Sequence, residues 1–297
     1  MNRFTVACIK LLLRVLMPGF AASLREEGQF DFSGKPVGTT DPSSYIDVED
    51  NGSEITVVAF AGMAVLYAAM PKFEFRKVLG EGGGRYNLVF VRDIHRSLYA
   101  LTPEGRPGGT EFYACAVKEA VEGLGSRYNV AMGASGGGEV AFRMSGGAPI
   151  HHIVAFNPAF PLDNYASPGD LRKVLLDFGK LFRKPGAYLE MILVMLGARY
   201  LWKRNCRMLG QDHLPDALQN YLRRSPPASA TIFYSEGSWP DAQQAARLSR
   251  MPSITVKAVD SPRHNCMADL KKQGRLGRLI HEEIQAAFTE WKTARRD

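Results

Sequence analysis

The segment Val130-Ala131-Met132-Gly133-Ala134-Ser135-Gly136-Gly137-Gly138-Glu139-Val140-Ala141 constrains the fold of this chain more than any other stretch. An apolar run leads into a Gly-x-Ser-x-Gly turn and then into a helix-compatible segment, the layout that sets a serine hydroxyl on a tight, exposed corner above a parallel sheet. Glycine at 133 and 137 removes side chains that would collide where strand and helix pass closely, and Ser135 is left in a strained backbone conformation. On this reading Ser135 is a nucleophile. The competing reading is a glycine-rich turn that cradles a phosphate, since Gly133, Gly136 and Gly138 also satisfy a loose nucleotide-loop spacing. Against it, the turn lies in mid-chain and has no Gly-Lys-Ser/Thr ending.

The rest of the pattern supplies the sheet. Apolar runs recur at Ile55–Phe60, Leu88–Val91, Tyr128–Met132, Ile153–Phe156, Thr231–Tyr234 and Ile254–Ala258, most of them apolar on consecutive positions as strands covered on both faces require. Helix-length stretches lie between them near 72–80, 112–123, 137–145, 240–250 and 275–293. Strands that alternate with helices predict an α/β architecture with a doubly wound, mostly parallel sheet. In the closing stretch Leu276, Leu279, Ile280, Ile284, Ala287, Phe288 and Trp291 repeat at three and four, which predicts a helix packed on the sheet.

A length of 297 residues with 45% apolar composition suits one large domain with an insertion. We expect an amphipathic helix in 1–24, a polar leader in 25–53 with a short strand near Tyr45–Val48, and the α/β domain in 54–297, carrying a helical cap at 160–226. The cap has an apolar centre, Met191 to Leu196, that is too short to span a bilayer, so it reads as a roof over the carboxyl edge of the sheet. A dimer surface or a membrane-contacting lid is the alternative reading. At the amino terminus Arg3, Lys10 and Arg14 fall within an arc of about 40° of a helix whose other faces are apolar. That geometry fits an interfacial or partner-docking helix, and equally a helix packed on its own domain. A cleaved signal is disfavoured because cations interrupt the apolar run.

The net charge of +7 is concentrated in the cap, where residues 168–224 hold eleven Lys/Arg against five acids. Such a face attracts anionic lipids or glycans, or is simply solvated. No recognised nucleic-acid-binding pattern accompanies it, so nucleic acid is not expected as a partner. Four cysteines (8, 115, 206 and 266) lie far apart without metal-ligand spacing, which argues against a zinc site and a disulfide framework and favours a reducing, cytoplasmic compartment.

A serine needs a base within hydrogen-bond reach, and the base needs an acid to set its tautomer. In sheets of this kind the partners follow the serine in the order acid, then histidine. The fifth apolar run is followed by Ser235-Glu236-Gly237-Ser238-Trp239-Pro240-Asp241, and the sixth by Asp260-Ser261-Pro262-Arg263-His264-Asn265. Each candidate lies at the carboxyl end of a strand, where ligands approach an open α/β sheet. Glu236 and Asp241 both qualify as the acid. Asp93 and His95, after the second run, are candidate substrate contacts, although an ordinary polar loop accounts for them as well. His151 and His152 read as packing or edge residues.

These residues resemble those of the α/β-hydrolase superfamily across roughly 54–290. The resemblance implies the core fold, hydrolytic or acyl-transfer chemistry, and roles for the matched positions: Ser135 as nucleophile, Asp241 as acid and His264 as base. It also implies an oxyanion hole from the backbone N–H of Gly136 and a second donor after the first core strand, Met63 or Gly62, where the segment departs from the usual His-Gly type. The runs from Asp241 to Ala245 and from His264 to Leu276 also resemble hydrolase-like proteins associated with bacterial surface-polysaccharide production. The expected activity is that of a serine hydrolase or acyltransferase acting on a small-molecule or glycan ester or thioester. No metal or redox cofactor is implied. The rival expectation is a non-catalytic accessory protein of the same fold, held at the inner face of the membrane through residues 1–20. Oligomeric state is not legible.

Overall fold

Successive side chains of a strand point to opposite faces, so a strand covered on both sides must be apolar throughout. In the computed structural model, which describes residues 45–62, 73, 75–81, 85–95, 97–159, 172, 176, 178–212, 217–223 and 227–295, the apolar runs form one sheet of seven strands. In chain order they are β1 (Ile46–Glu49), β2 (Ile55–Phe60), β3 (Asn87–Val91), β4 (Tyr128–Ala134), β5 (His152–Phe156), β6 (Ser229–Ser235) and β7 (Ile254–Val259). Their spatial order is β1-β3-β2-β4-β5-β6-β7, with β1 antiparallel to β3 and every other pair parallel. The reversal of order beside β2 and β4 places the crevice for a ligand above the centre of the sheet.

Helices cover both faces. They are α1 (Arg76–Gly80), α2 (Gly109–Leu124), α3 (Gly136–Ser145), α4 (Phe178–Arg183), α5 (Pro185–Leu209), α6 (Ala217–Leu222), α7 (Trp239–Leu248), α8 (Cys266–Lys272) and α9 (Leu276–Thr293). Val57, Ala59, Val130, Met132, Val154 and Phe156 pack on one side with Leu276, Ile280, Ile284 and Phe288 of α9. Their sequence neighbours Val58, Phe60, Ala131, Ile153 and Ala155 pack on the other with Tyr113, Val117 and Val121 of α2 and with Val140 and Met144 of α3. The doubly wound, mostly parallel sheet expected from periodicity is therefore the architecture observed.

Three details differ from expectation. The sheet starts before residue 54, because β1 pairs with β3 from Ile46 opposite Val91 to Glu49 opposite Leu88. Within the stretch assigned to the cap, α6 belongs instead to the layer on the sheet: Tyr221 meets Phe142 edge-on at 5.2 Å, and a methyl at Gly146 would lie 2.3 Å from the Asn220 carbonyl oxygen. The short α8 was not anticipated, although Asn265 caps it, its side chain accepting the Ala268 N–H at 3.3 Å. The helix expected in 1–24 and most of the polar leader lie outside the described residues. Among the described residues, no helix is long and apolar enough to cross a membrane.

Candidate active site

The turn between β4 and α3 is built from absent side chains. A methyl at Gly133 would lie 2.3 Å from the Gly137 carbonyl carbon, and one at Gly137 would lie 2.4 Å from the Phe60 carbonyl oxygen. Either contact would push the helix off the strand. Between these glycines Ser135 holds φ 49° and ψ −118°, a conformation that costs a non-glycine residue about 1–3 kcal/mol and persists where neighbours enforce it. Here the neighbours are backbone hydrogen bonds: the Ser135 N–H donates to Phe156 O at 2.8 Å, and its carbonyl accepts the Ala159 N–H at 3.1 Å. The buried pair Glu139 and Arg143, 2.5 Å apart on α3, and the 3.3 Å bond from Arg143 to Thr110 fasten the helix to α2.

Two further turns bring the polar partners to this corner. Asp241 stands in the first turn of α7, which Pro240 helps to start, and His264 lies on the loop between β7 and α8. His264 Nε2 is 3.0 Å from Ser135 Oγ, while its Nδ1 is 2.9 and 3.1 Å from the two carboxylate oxygens of Asp241. A carboxylate can only accept, so Nδ1 carries the proton and Nε2 presents its lone pair to the serine hydroxyl. Asp241 and His264 are buried, and Ser135 is partly exposed. This order of accessibility admits a reactant to the hydroxyl while water is kept from the other two.

Glu236, the alternative acid, is exposed and is held instead through its backbone N–H, which donates to Val259 O at 3.1 Å. The two polar turns are clipped together at Gly237, whose N–H donates to Ser261 O at 2.9 Å and whose added methyl would lie 2.6 Å from the Pro262 Cα. Sequence reasoning missed this glycine, and it missed Asn157 as well. At the end of β5, Asn157 adopts φ 46° and donates its side-chain amide to Ser235 Oγ at 3.0 Å, while its carbonyl oxygen accepts from Cys266 Sγ at 2.7 Å. Burial, reinforced by the nearby Asp241 charge, pushes the Cys266 thiol up to about 12. It is therefore a neutral donor. The signal that could have found Asn157 is its position directly after a strand, beside the serine turn.

The Asp93 side chain is turned into its own loop. Its fully buried carboxylate accepts the N–H groups of His95 at 3.0 Å and Tyr99 at 2.8 Å, the Ser97 hydroxyl at 3.1 Å and the Ser97 N–H. Burial raises its pKa, with those hydrogen bonds opposing the rise. The carboxylate folds its own loop, where Leu98 and Tyr99 both have positive φ. The His95 ring is likewise committed to that loop, with Nε2 2.8 Å from Pro103 O. Of the two donors expected for an oxyanion hole, the Gly136 N–H opens α3, where the helix dipole favours negative charge. Gly62 runs beside it, since a methyl on Gly137 would come within 3.0 Å of the Gly62 nitrogen. Met63 lies outside the described residues. No group of three or more metal-ligating side chains occurs among the described residues.

A mostly parallel sheet in this order, with a serine on the turn after its central strand and a histidine beyond its last, is the α/β-hydrolase fold. Comparison with solved structures finds similar chains. The chain is similar to the capsule O-acetyltransferase of Neisseria meningitidis serogroup A, at 16% identity and TM-score 0.50 over 81% of this chain and 90% of that one. It is also similar to a thermophilic esterase from Thermogutta terrifontis, at 14% identity and TM-score 0.48 over 82% and 93%. Against the Glycosylation Associate Protein (Gap123) complex of Streptococcus agalactiae the match is 15% identical with TM-score 0.46 over 80% of this chain, which spans 44% of that one. At these identities the likeness is one of fold. No protein-family profile and no curated protein sequence matches the chain.

Proposed function

We propose that the protein is a serine-dependent enzyme that cleaves an ester or thioester of a small molecule or glycan through an acyl-enzyme. The observation that carries this reading is the unbroken chain of hydrogen bonds from Asp241 through His264 to Ser135. In the first half-reaction His264 Nε2 takes the serine proton as Oγ bonds to the acyl carbon. The N–H groups of Gly136 and Gly62 receive the negative charge on the carbonyl oxygen, a contribution of about 3 kcal/mol per donor. Collapse breaks the bond to the leaving oxygen or sulfur, which receives the proton from Nε2. In the second half-reaction His264 deprotonates the incoming hydroxyl and returns that proton to Ser135. Water as acceptor makes the enzyme a hydrolase, and an alcohol makes it an acyltransferase. Because an O-acetyltransferase shares the fold, both fates belong to the proposal.

Labelling with a fluorophosphonate probe tests it. The wild-type chain is expected to label covalently, and Ser135→Ala and His264→Ala to lose labelling. Absent labelling, or labelling indifferent to either substitution, rejects the assignment.

A second reading concerns location. Phe182 is 83% exposed and Leu176 58%, beside the exposed Arg172, Arg183 and Lys184. Apolar tips set among cations suit the surface of an anionic bilayer. Co-sedimentation with phosphatidylglycerol vesicles, weakened by Phe182→Ser and by high salt, is the expected result; no binding at low salt rejects it.

A further inference from the structure

We propose that the amide of Asn205 and the indole N–H of Trp202 form a binding subsite for a hydroxylated portion of the substrate, above the serine turn. The inference deepens the catalytic reading and rests on it. Ala198, Trp202 and Asn205 are spaced by four and three along α5 and so lie on one stripe of the helix. That stripe faces inward: Trp202 and Val194 pack on the cluster formed by Leu98, Ala159 and Ala198. The Ala159 N–H in turn donates to the Ser135 carbonyl at 3.1 Å, which ties this cluster to the nucleophile turn. Next to Asn205, the Arg204 guanidinium donates to His95 O at 3.1 Å and seats the helix over the loop after β3.

On this apolar stripe the polar atoms are out of place. Asn205 is 1% exposed, and both its amide nitrogen and its carbonyl oxygen are buried without a hydrogen-bond partner, as is Trp202 Nε1. Buried amides and indoles are ordinarily paired, and an unpaired one destabilises the fold. A chain selected for stability alone would carry an aliphatic residue at 205. Together the two side chains offer three N–H donors and one acceptor. A hydrocarbon acyl chain would leave all of them unpaired, whereas hydroxyl groups, which both donate and accept, complement them. The subsite therefore takes the hydroxylated alcohol portion of an ester, or a hydroxylated acceptor.

The test uses the full chain carrying Ser135→Ala, so that binding is read without turnover. The probes are methyl 6-O-acetylglucopyranoside and hexyl acetate, followed by the shift in Tm and by intrinsic tryptophan fluorescence. The sugar ester is expected to raise Tm more than hexyl acetate does. Adding Asn205→Leu should weaken sugar-ester binding about tenfold or more and raise the ligand-free Tm by about 2–4 °C, because an unpaired amide has been removed. Trp202→Phe, which keeps the ring and deletes the N–H, should weaken binding in the same direction. The proposal is overturned if the sugar ester gives no shift, if its affinity survives Asn205→Leu, or if that substitution lowers the ligand-free Tm, which would reveal a structural partner for the amide. Asn205-dependent binding, with no fluorophosphonate labelling of the wild-type chain, would reject the catalytic reading alone; wild-type labelling with Asn205-independent binding would reject the subsite alone.

Discussion

The thiol of Cys266 donates to the side-chain oxygen of Asn157 at 2.7 Å, which joins the loop that carries His264 to the end of a strand 109 residues earlier. Because the other end of the same amide reaches Ser235, on the strand that leads to Asp241, Asn157 connects the acid turn with the base turn. Cys266→Ala leaves a buried acceptor without a donor, so it should cost about 1–3 kcal/mol and slow fluorophosphonate labelling. Cys266→Ser keeps a donor and should recover most of both. The native thiol, buried and held neutral by a pKa near 12, should resist iodoacetamide until the chain is unfolded. Rapid alkylation of Cys266 in the folded protein would contradict this arrangement.

Two acids follow β6, and their placement assigns them different fates. Asp241→Asn keeps the shape beside His264 and presents an amide that favours the other tautomer, so turnover of an activated ester should fall by about 10³ to 10⁴. The exposed Glu236 is held through its backbone N–H on Val259 O, and Glu236→Gln should change the rate less than about twofold, within the usual effect of a surface substitution. Parallel measurement of kcat/KM for p-nitrophenyl acetate decides it. Equal losses in the two variants would mean that the acid has been misassigned.

How much of this could be read beforehand follows from the range of each interaction. The strands were legible because Val57 and Val58, or Ala131 and Met132, serve opposite faces that are both covered, so burial leaves a continuous mark in the sequence. The serine turn was legible because its steric requirement falls on neighbouring residues, Gly133 and Gly137. Asn157, Gly237 and Cys266 were not, since each works through a partner distant in the chain, and a lone Asn, Gly or Cys leaves no local pattern. Asp93 left two readings open because a carboxylate after a strand looks the same in sequence whether it faces a ligand or gathers the N–H groups of its own loop, as it does here. The short β1 was recognised as a strand but not as part of the sheet, since antiparallel pairing with β3 depends on register rather than on composition.

Gly137 offers a steric test of the same turn. Gly137→Ala forces a methyl to within 2.4 Å of the Phe60 carbonyl oxygen, in a place where backbone must yield. The expected cost is about 2 kcal/mol or more, together with slower labelling in whatever fraction folds, because the Gly62 segment moves away from the Gly136 N–H. Gly123→Ala is the control. It lies on the exposed side of α2 with nothing within 4 Å of the new methyl, so it should raise stability by about 0.5–1 kcal/mol. Urea denaturation of both variants against wild type measures the contrast, and equal midpoints would remove the case for close contact at residue 137.

His152 is expected to make the fold sensitive to acid. Its Nδ1 is 2.7 Å from Ser229 Oγ, while Nε2 is buried with no partner, so an added proton there would meet no acceptor. Burial lowers its pKa to about 4; the Glu283 carboxylate opposes this shift and Lys257 adds to it. In the unfolded chain the same ring titrates near 6.5. Between those values the unfolded state takes up a proton that the folded state refuses, so stability is intact above pH 6.5 and drains away as the pH falls towards 4. From pH 7.5 to 4.5 the loss from this residue alone amounts to about 2–3 kcal/mol. His152→Asn keeps a polar group opposite Ser229 and cannot titrate, so its urea midpoint should depend less steeply on pH over that window, whatever its stability at pH 7.5. A slope identical to that of wild type would show that another group governs the acid transition.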